Sequence, residues 1–172
     1  MKKLLLAVLI LFAANWAATA IGAQTSAAVK PVKPASAKKF DVLATRALEA
    51  MKKRAAELNV GGVAVVSYAP GESIQGWYSR MAVVGRMKDE PTATAKGNNL
   101  LGIAYAKAAE MAETLQNSGT ATRPPMTGEF GWQGGVVARG RSGYVIVAFS
   151  GGKSEDDVQV SRAGLAILQP EF

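Results

Sequence analysis

The chain has 172 residues, a length that predicts a single domain, and it contains neither cysteine nor histidine. It therefore has no disulfide, no cysteine nucleophile, no histidine-based catalytic triad and no histidine-ligated zinc or haem. The formal net charge is +7, but no predicted helix has a basic face interleaved with aromatic residues, so we expect no nucleic-acid partner.

Residues 1–23 have the pattern of a secretory signal peptide. Lys2 and Lys3 form a basic start, residues 4–14 form an apolar core, and small residues follow. Cleavage is expected after Ala20 or after Ala23, and the alternative is an uncleaved anchor. The pattern predicts a periplasmic or secreted protein.

Residues 24–38 are rich in alanine, proline, lysine and serine, a composition typical of a linker. The folded domain is predicted to occupy residues 39–172. Apolar residues at helical spacing predict its first helix over residues 40–58, and Asn59 is expected to end that helix.

Two or three strands are predicted next. Residues 63–68 are continuously apolar or aromatic, which indicates a strand that is covered on both faces. Residues 69–72 predict a type II turn, after which residues 74–79 are expected to return antiparallel. Residues 81–87 are a candidate third strand, in which Gly85 would be a bulge or a break.

A long helix is predicted within residues 92–117, with Asn98 as its N-cap. Residues 118–133 then form a long loop that contains both aromatic and charged side chains. Such a loop suits the lining of a site, or else a clamp that covers a sheet edge and buries Trp132.

The last elements are a hairpin and a helix. Residues 136–139 and 144–150 are predicted to be paired strands, and a helix is expected from Ser154 to about Leu168, with Ser154 in a capping box. The element order is helix, two or three strands, helix, two strands, helix. This order predicts an α+β domain with an antiparallel sheet and packed helices.

Two motifs suggest chemistry only weakly. Residues 151–154 resemble the end of a phosphate-binding loop, but the full glycine spacing is missing and three carboxylates follow. The acidic pair Asp89 and Glu90 could bind a hard cation, but solvated surface is the favoured explanation. We therefore predict no metal site.

Several short motifs occur in a particular order along the chain. They are WYSRM at residues 77–81, IAYAKA at 103–108, FSGG at 149–152, then Glu155-Asp156, and SRAGL at 161–165. Over residues 40–168 the chain resembles the GlcG/HbpS-like haem-binding family, which is also found as the C-terminal domain of some PduO-type adenosyltransferases.

The resemblance implies a profilin-like fold with an antiparallel sheet of about five strands flanked by helices. It also implies homo-oligomers and the binding of a small ligand, which is haem in some members. Because this chain has no histidine, any haem would have to bind without histidine ligation, through tyrosine or methionine.

The first functional hypothesis is an exported small-molecule-binding protein, with haem or a related tetrapyrrole as a candidate ligand. Its pocket is expected near the loop of residues 118–133. The candidate ligand-binding residues are Arg80, Tyr105, Arg123, Glu129 and Trp132.

Two other hypotheses remain open. The chain could be a non-catalytic oligomeric accessory or sensor-partner module that docks on a protein of the cell envelope. It could also be an enzyme that uses Glu129 with Lys107 or an arginine for acid–base work. No spacing of residues demands catalysis, so we favour a non-enzymatic role and assign no catalytic residue.

Overall fold

The computed structural model describes residues 34–172, so the predicted signal peptide and the first part of the linker lie outside the described residues. The elements are α1 (Pro34–Glu57), β1 (Gly62–Pro70), β2 (Tyr78–Val84), β3 (Lys88–Asp89), β4 (Asn98–Asn99), α2 (Leu100–Thr114), β5 (Gly135–Arg139), β6 (Gly143–Ser150) and α3 (Ser154–Leu168), followed by a 3₁₀ turn at Gln169–Glu171. The order of helices and strands confirms the predicted α+β class.

The main sheet has four antiparallel strands in the order β2-β1-β6-β5. In the centre of the sheet, Val65 lies opposite Met81 of β2 on one side and Ala148 of β6 on the other. The short strands β3 and β4 pair only with each other. The resemblance implied about five strands, and the main sheet has four.

Helices cover both faces of the sheet. On one face α1 and α3 pack over a core that includes Phe40, Met51 and Phe149. On the other face α2 packs over a second core that includes Val63 and Met111. The first eight residues of β1 are buried, because its side chains alternate between these two cores. This burial confirms that the non-alternating strand is covered on both faces.

Helix α1 begins at Pro34, six residues before the predicted start, and so extends into the segment predicted to be a linker. Proline is compatible with the first turn of a helix, because the amide hydrogen that it lacks would have no acceptor there. The far end agrees with the prediction: Asn59 has a φ of 53°, and the N–H of Val60 bonds back to the carbonyl of Ala55. Among residues 34–172, no helix is long and apolar enough to cross a bilayer.

The prediction of two strands over residues 74–79 and 81–87 is wrong, because the structure has the single strand β2 there. Ile74 and Trp77 pack against the α2-side core from the connection before β2, so their burial does not come from a strand. Gly85 ends β2, as the sequence suggested. It has a φ of 75°, and the N–H of Arg86 bonds to the carbonyl of Val84 across it.

Helix α2 is shorter than predicted and has a different cap. Asn99, and not Asn98, is the N-cap, and its side-chain oxygen accepts a hydrogen bond from the N–H of Gly102 at 2.9 Å. Asn98 instead pairs with Asp89 between β4 and β3. Two adjacent asparagines offer the same capping group, so the sequence pattern cannot distinguish them.

The capping box predicted at Ser154 is also wrong. Ser154 is the first residue of α3, and Lys153 holds the cap position without a side-chain hydrogen bond. The hairpin between β5 and β6 agrees with the prediction, and residues 118–133 contain neither helix nor strand. The fold thus places the N-terminus of α3, the middle of α2 and the end of this loop around the C-terminal end of β6.

Candidate functional site

A lysine is buried on the inner face of α2. Lys107 lies on the same face as the buried residues Ile103, Ala104 and Met111, and its side chain is only 3% exposed. Its ammonium group donates to the carbonyl of Phe149 at 2.9 Å. A lysine is almost never this buried unless it is paired.

Asp157, in the first turn of α3, is the partner of Lys107. Its Oδ2 accepts from Lys107 Nζ at 2.8 Å, and its Oδ1 accepts from the backbone N–H of Gly152 at 2.8 Å. The Asp157 side chain is 4% exposed. One carboxylate therefore holds both the lysine of α2 and the turn between β6 and α3.

The backbone beside the pair has no room for a side chain. Gly134 has a φ of 131°, and a Cβ added there would lie 2.3 Å from Lys107 Nζ. The carbonyl of Gly134 accepts a hydrogen bond from the buried hydroxyl of Ser161 at 2.6 Å. Glycine at this position lets the chain pass close to the ammonium group.

Burial disfavours charge on both partners. Removal from water lowers the pKa of Lys107, although the neighbouring Asp157 opposes that effect. Burial likewise raises the pKa of Asp157, against the opposing influence of Lys107 and of the N–H groups of Gly152 and Gly151. Each partner therefore offsets part of the cost of keeping the other charged in this buried place.

The pair forms the floor of a recess with a volume of about 120 Å³. The recess is walled by α2, by the turn before α3, by the β3–β4 pair and by the end of the long loop. Its polar lining besides the ion pair includes Asn98, Gln133 and Ser154, and Trp132 stands at its edge with 48% of its surface exposed. We call this the Lys107 recess.

Arg123 and Glu129, which the sequence predicted as site residues, bind each other in a different place. The guanidinium donates to both carboxylate oxygens of Glu129, at 2.7 and 2.8 Å, and also to Glu113 at 2.5 Å. Arg123 lines a second recess of about 90 Å³, which lies between the C-terminal half of α2 and the loop.

The Arg123–Glu129 pair shifts the acidity of Glu129. The hydrogen bonds from Arg123, and then the backbone N–H of Met126, lower the pKa of Glu129 to about 2. These contacts also raise the pKa of Arg123. A carboxylate with both oxygens engaged and so low a pKa has no proton to donate at neutral pH and is a weak proton acceptor, so this geometry does not support acid–base work by Glu129.

Arg80 and Tyr105 lie on opposite faces of the sheet. Arg80 forms an ion pair with Asp41 of α1 at 2.7 Å. The hydroxyl of Tyr105 is 3.2 Å from that of Ser79 on the α2 side. The five predicted residues therefore do not converge on one pocket, and of the five only Trp132 lines the Lys107 recess.

The loop of residues 118–133 was expected either to line a site or to cover a sheet edge and bury Trp132, and it has features of both. Together with the preceding Asn117 it covers a sheet edge, because Asn117 and Ser118 accept hydrogen bonds from the N–H groups of Val137 and Gly135 in β5. Trp132, however, is not buried. It lies half-exposed against Phe130, with the ring centroids 4.9 Å apart.

Lys107 and Asp157 were not among the predicted ligand-binding residues, although the sequence contains a signal for them. Lys107 interrupts an otherwise apolar helix face, four residues after Ile103 and four before Met111. A charged residue on a buried face needs a buried partner. Asp157 had been explained by the helix dipole, which also favours acids in the first turn and so hid its second role.

Four tyrosines are the candidates for haem ligation through oxygen. The ring of Tyr78 packs against Phe40, with the centroids 6.0 Å apart, and the other three are engaged through their hydroxyls. The hydroxyls of Tyr68, Tyr105 and Tyr144 are hydrogen-bonded to Ser142, Ser79 and the carbonyl of Glu72, respectively. The Lys107 recess is far smaller than the 300–1,000 Å³ usual for cofactor sites.

A wide cleft at the β3–β4 pair offers different groups. Its volume is about 600 Å³, and its wall includes the half-exposed Met87, the exposed Lys96 and the acidic residues Asp89 and Glu90. Lys88 also lines it, but its ammonium group is paired with Glu90 at 2.8 Å. A thioether can ligate haem iron, and ammonium groups can pair with propionates. The donor types of this cleft are therefore compatible with haem.

Sequence comparisons give no relative: no protein-family model and no curated protein matches this chain. Among solved structures, the crystal structure of Klebsiella pneumoniae protein ORFY, described with the family model DUF336, is similar with a TM-score of 0.50. The sequence identity is 18%, and the match covers 73% of this chain and 87% of that one. DUF336 is the GlcG-like family, so the likeness supports the predicted profilin-like fold.

We expect Lys107→Met to destabilise the protein by about 3–5 kcal/mol, because it leaves the Asp157 carboxylate buried without its cation. Lys96→Met is the matched control, since Lys96 is exposed and should change stability by less than about 0.5 kcal/mol. Urea unfolding followed by circular dichroism measures both. A loss in Lys107→Met as small as that in the control would contradict the role given to the pair.

The ion pair of Glu129 predicts a pH dependence. Its folded pKa of about 2 lies below the ordinary value of 4.5, so its contribution to stability is complete above pH 4.5 and disappears as the pH falls towards 2. The difference in melting temperature between the wild-type protein and Glu129→Gln should therefore shrink between pH 5 and about pH 2. Glu90→Gln, which alters an exposed carboxylate, should show a smaller change over that range.

Proposed function

We propose that this protein binds a small polar molecule in the Lys107 recess. One observation carries the proposal: a buried, charged pair with shifted pKa values forms the floor of a recess and is not sealed inside the core. Such groups in a concave site with a few convergent polar side chains are typical of ligand-binding sites.

The size and lining of the recess restrict the ligand. A volume of about 120 Å³ is that of roughly four water molecules, so the buried part of the ligand has only a few non-hydrogen atoms. The charges of Lys107 and Asp157 largely cancel, which favours a neutral group that both donates and accepts hydrogen bonds. Asn98, Gln133 and Ser154 offer both functions, and the exposed face of Trp132 can contact a less polar part of the ligand.

We also propose that the protein works outside the cytoplasm. The support is the pattern of residues 1–23, which has the basic, apolar and small-residue regions of a signal peptide in the required order. The mass of the protein purified from the cell envelope or the medium tests this proposal. We expect a chain that begins at Ile21 or Gln24. A chain in the envelope that still begins at Met1 would indicate the uncleaved anchor, and absence of the protein from both the envelope and the medium would contradict the proposal.

Native mass spectrometry of the protein purified from its own cells tests the ligand proposal. We expect a bound mass of a small organic molecule on the wild-type protein and its loss in Trp132→Ala, which opens the recess. Met126→Ala is the matched control, because Met126 is an apolar residue of the same loop with a similar exposure and does not line the recess. An adduct that is equally abundant in all three proteins, or absent from the wild-type protein, would rule out this recess as the site.

Haem is a second candidate ligand, and the observation that favours it is the β3–β4 cleft with the Met87 thioether in its wall. When bound, haem would supply an iron centre with one methionine ligand. Titration with haemin, followed by the Soret band, is expected to give a shift that Met87→Leu removes and Met126→Leu keeps. Both methionines are about half-exposed, so the two variants are matched. No Soret shift in the wild-type protein would remove this candidate.

A further inference from the structure

The two edges of the main sheet differ in whether their outward backbone groups are hydrogen-bonded. The outer edge of β5 is covered, because the N–H groups of Gly135 and Val137 bond to the side chains of Ser118 and Asn117. The other edge is β2, which among the strands of residues 34–172 pairs with β1 alone. Within residues 34–172, no hydrogen bond joins the outward N–H groups of β2 to another part of the chain.

The hydrogen-bond ladder shows which groups of β2 point outward. Residues of an antiparallel strand direct their N–H and C=O groups alternately to the two sides. Phe149 of β6 donates to Gly134 on the β5 side, so its neighbour Ala148 is directed to β1, where its partner is Val65. The backbone N–H and C=O groups of Val65 therefore point to β6, and those of the adjacent Ala64 point to β2.

The same alternation continues into β2. Ala64 is paired with Ala82, so the backbone of Ala82 is directed inward to β1. The N–H and C=O groups of Ser79, Met81 and Val83 consequently point outward. These three residues form a row of outward donors and acceptors that is centred on Met81. Five of the six groups have no partner within residues 34–172, and the sixth, the carbonyl of Ser79, accepts a long 3.4 Å bond from the side chain of Arg80.

This edge lacks the devices that usually prevent strand pairing. It is seven residues long, it contains no proline, and no lysine or acidic residue lies on it. Its one charged residue, Arg80, is engaged with Asp41 at 2.7 Å. Val83 presents an apolar side chain that is 39% exposed. Soluble proteins rarely leave such an edge free, because it is a template for another strand.

We propose that β2 pairs with β2 of a second copy of this chain, antiparallel and around a two-fold axis at Met81. In this register Met81 lies opposite Met81 of the second copy, and Ser79 lies opposite Val83 of the second copy. All outward groups of the three residues are then satisfied in both copies. The two four-stranded sheets join into one sheet of eight strands. This proposal does not depend on the ligand proposed above.

The charge and shape of the edge favour a second copy over an unrelated partner. The outward groups are symmetric around Met81, which is what a two-fold, self-complementary interface requires. Arg80 lies opposite Ala82 of the second copy, so the two arginines do not face each other. Both copies of Val83 are covered in the process, so exposed apolar surface is lost from each.

Cysteine cross-linking tests the register directly, because the natural chain has no cysteine. In an antiparallel hydrogen-bonded pair the Cα atoms are about 5.5 Å apart, a separation that suits a disulfide. The variant Met81→Cys should therefore form a covalent dimer under mild oxidation. Val83→Cys is the matched control on the same edge, since its two copies would be four residues apart, about 13 Å, and should not cross-link.

Sedimentation analysis of the purified protein tests the interface without cross-linking. We expect a dimer, and we expect Val83→Lys to raise its dissociation constant about tenfold or more, because a lysine guards the edge against pairing. Met126→Lys also replaces an exposed apolar residue by lysine, but in the loop beside the opposite, β5 edge of the sheet, and should leave the dimer intact. Circular dichroism confirms that each variant is folded.

Two results would overturn the proposal. One is a wild-type protein that stays monomeric at all accessible concentrations. The other is a dimer whose contact lies elsewhere: Val83→Lys would then leave the dissociation constant unchanged, or the Met81→Cys and Val83→Cys variants would form covalent dimers equally well. The second result would assign the contact to another surface or to another register.

Discussion

The structure depends on the burial of one lysine and one aspartate between α2 and α3. Charged groups lose several kcal/mol of hydration free energy when they leave water, so neither partner could occupy this place alone. Three elements fix their position. Helix α2 carries Lys107, α3 carries Asp157, and the carbonyl of Phe149 at the end of β6 accepts a hydrogen bond from Lys107. The pair therefore joins the two helices that lie on opposite faces of the sheet.

The same constraint explains the glycines around it. The turn of Gly151 and Gly152 must bring a backbone N–H to the Asp157 carboxylate, and Gly134 must pass close to the Lys107 ammonium. A side chain at Gly134 or at Gly151 would collide with neighbouring atoms, and one at Gly152 would be tight. A glycine-rich turn before a helix, which in sequence resembles part of a phosphate-binding loop, is thus occupied by a carboxylate of the protein itself. The oxygen that accepts the turn's N–H belongs to Asp157 and not to a phosphate.

Much of the fold could be predicted from the sequence, because it follows from local patterns. The periodicity of α1 and α2, the continuous apolar run of β1 and the glycines around the β5–β6 hairpin each act over a few residues. The errors arose where a distant contact decided the outcome. Ile74 and Trp77 looked like strand residues because they are apolar, but their burial comes from packing against α2. Asn98 and Asn99 are equivalent in sequence, and only the pairing of β3 with β4 separates their roles.

The site was harder to predict than the fold. Residue type alone singled out four polar side chains as binding groups, but each is engaged with a neighbour in the folded chain. Arg80 pairs with Asp41, Tyr105 lies within hydrogen-bond distance of Ser79, and Arg123 pairs with Glu129. The informative feature was a mismatch between a residue and its environment, a lysine on an apolar helix face. Such a mismatch has a meaning only when the partner is known, and Asp157 is 50 residues away along the chain.

A double-mutant cycle on the Lys107–Asp157 pair tests the central claim most directly. The cycle compares the free energies of unfolding of the wild-type protein, Lys107→Met, Asp157→Leu and the double variant. If the two groups support each other in a buried site, each single variant leaves one charge unpaired, and the double variant is more stable than at least one of them. If the losses of the two single variants simply add, the groups act independently and the pair does not hold the two helices together.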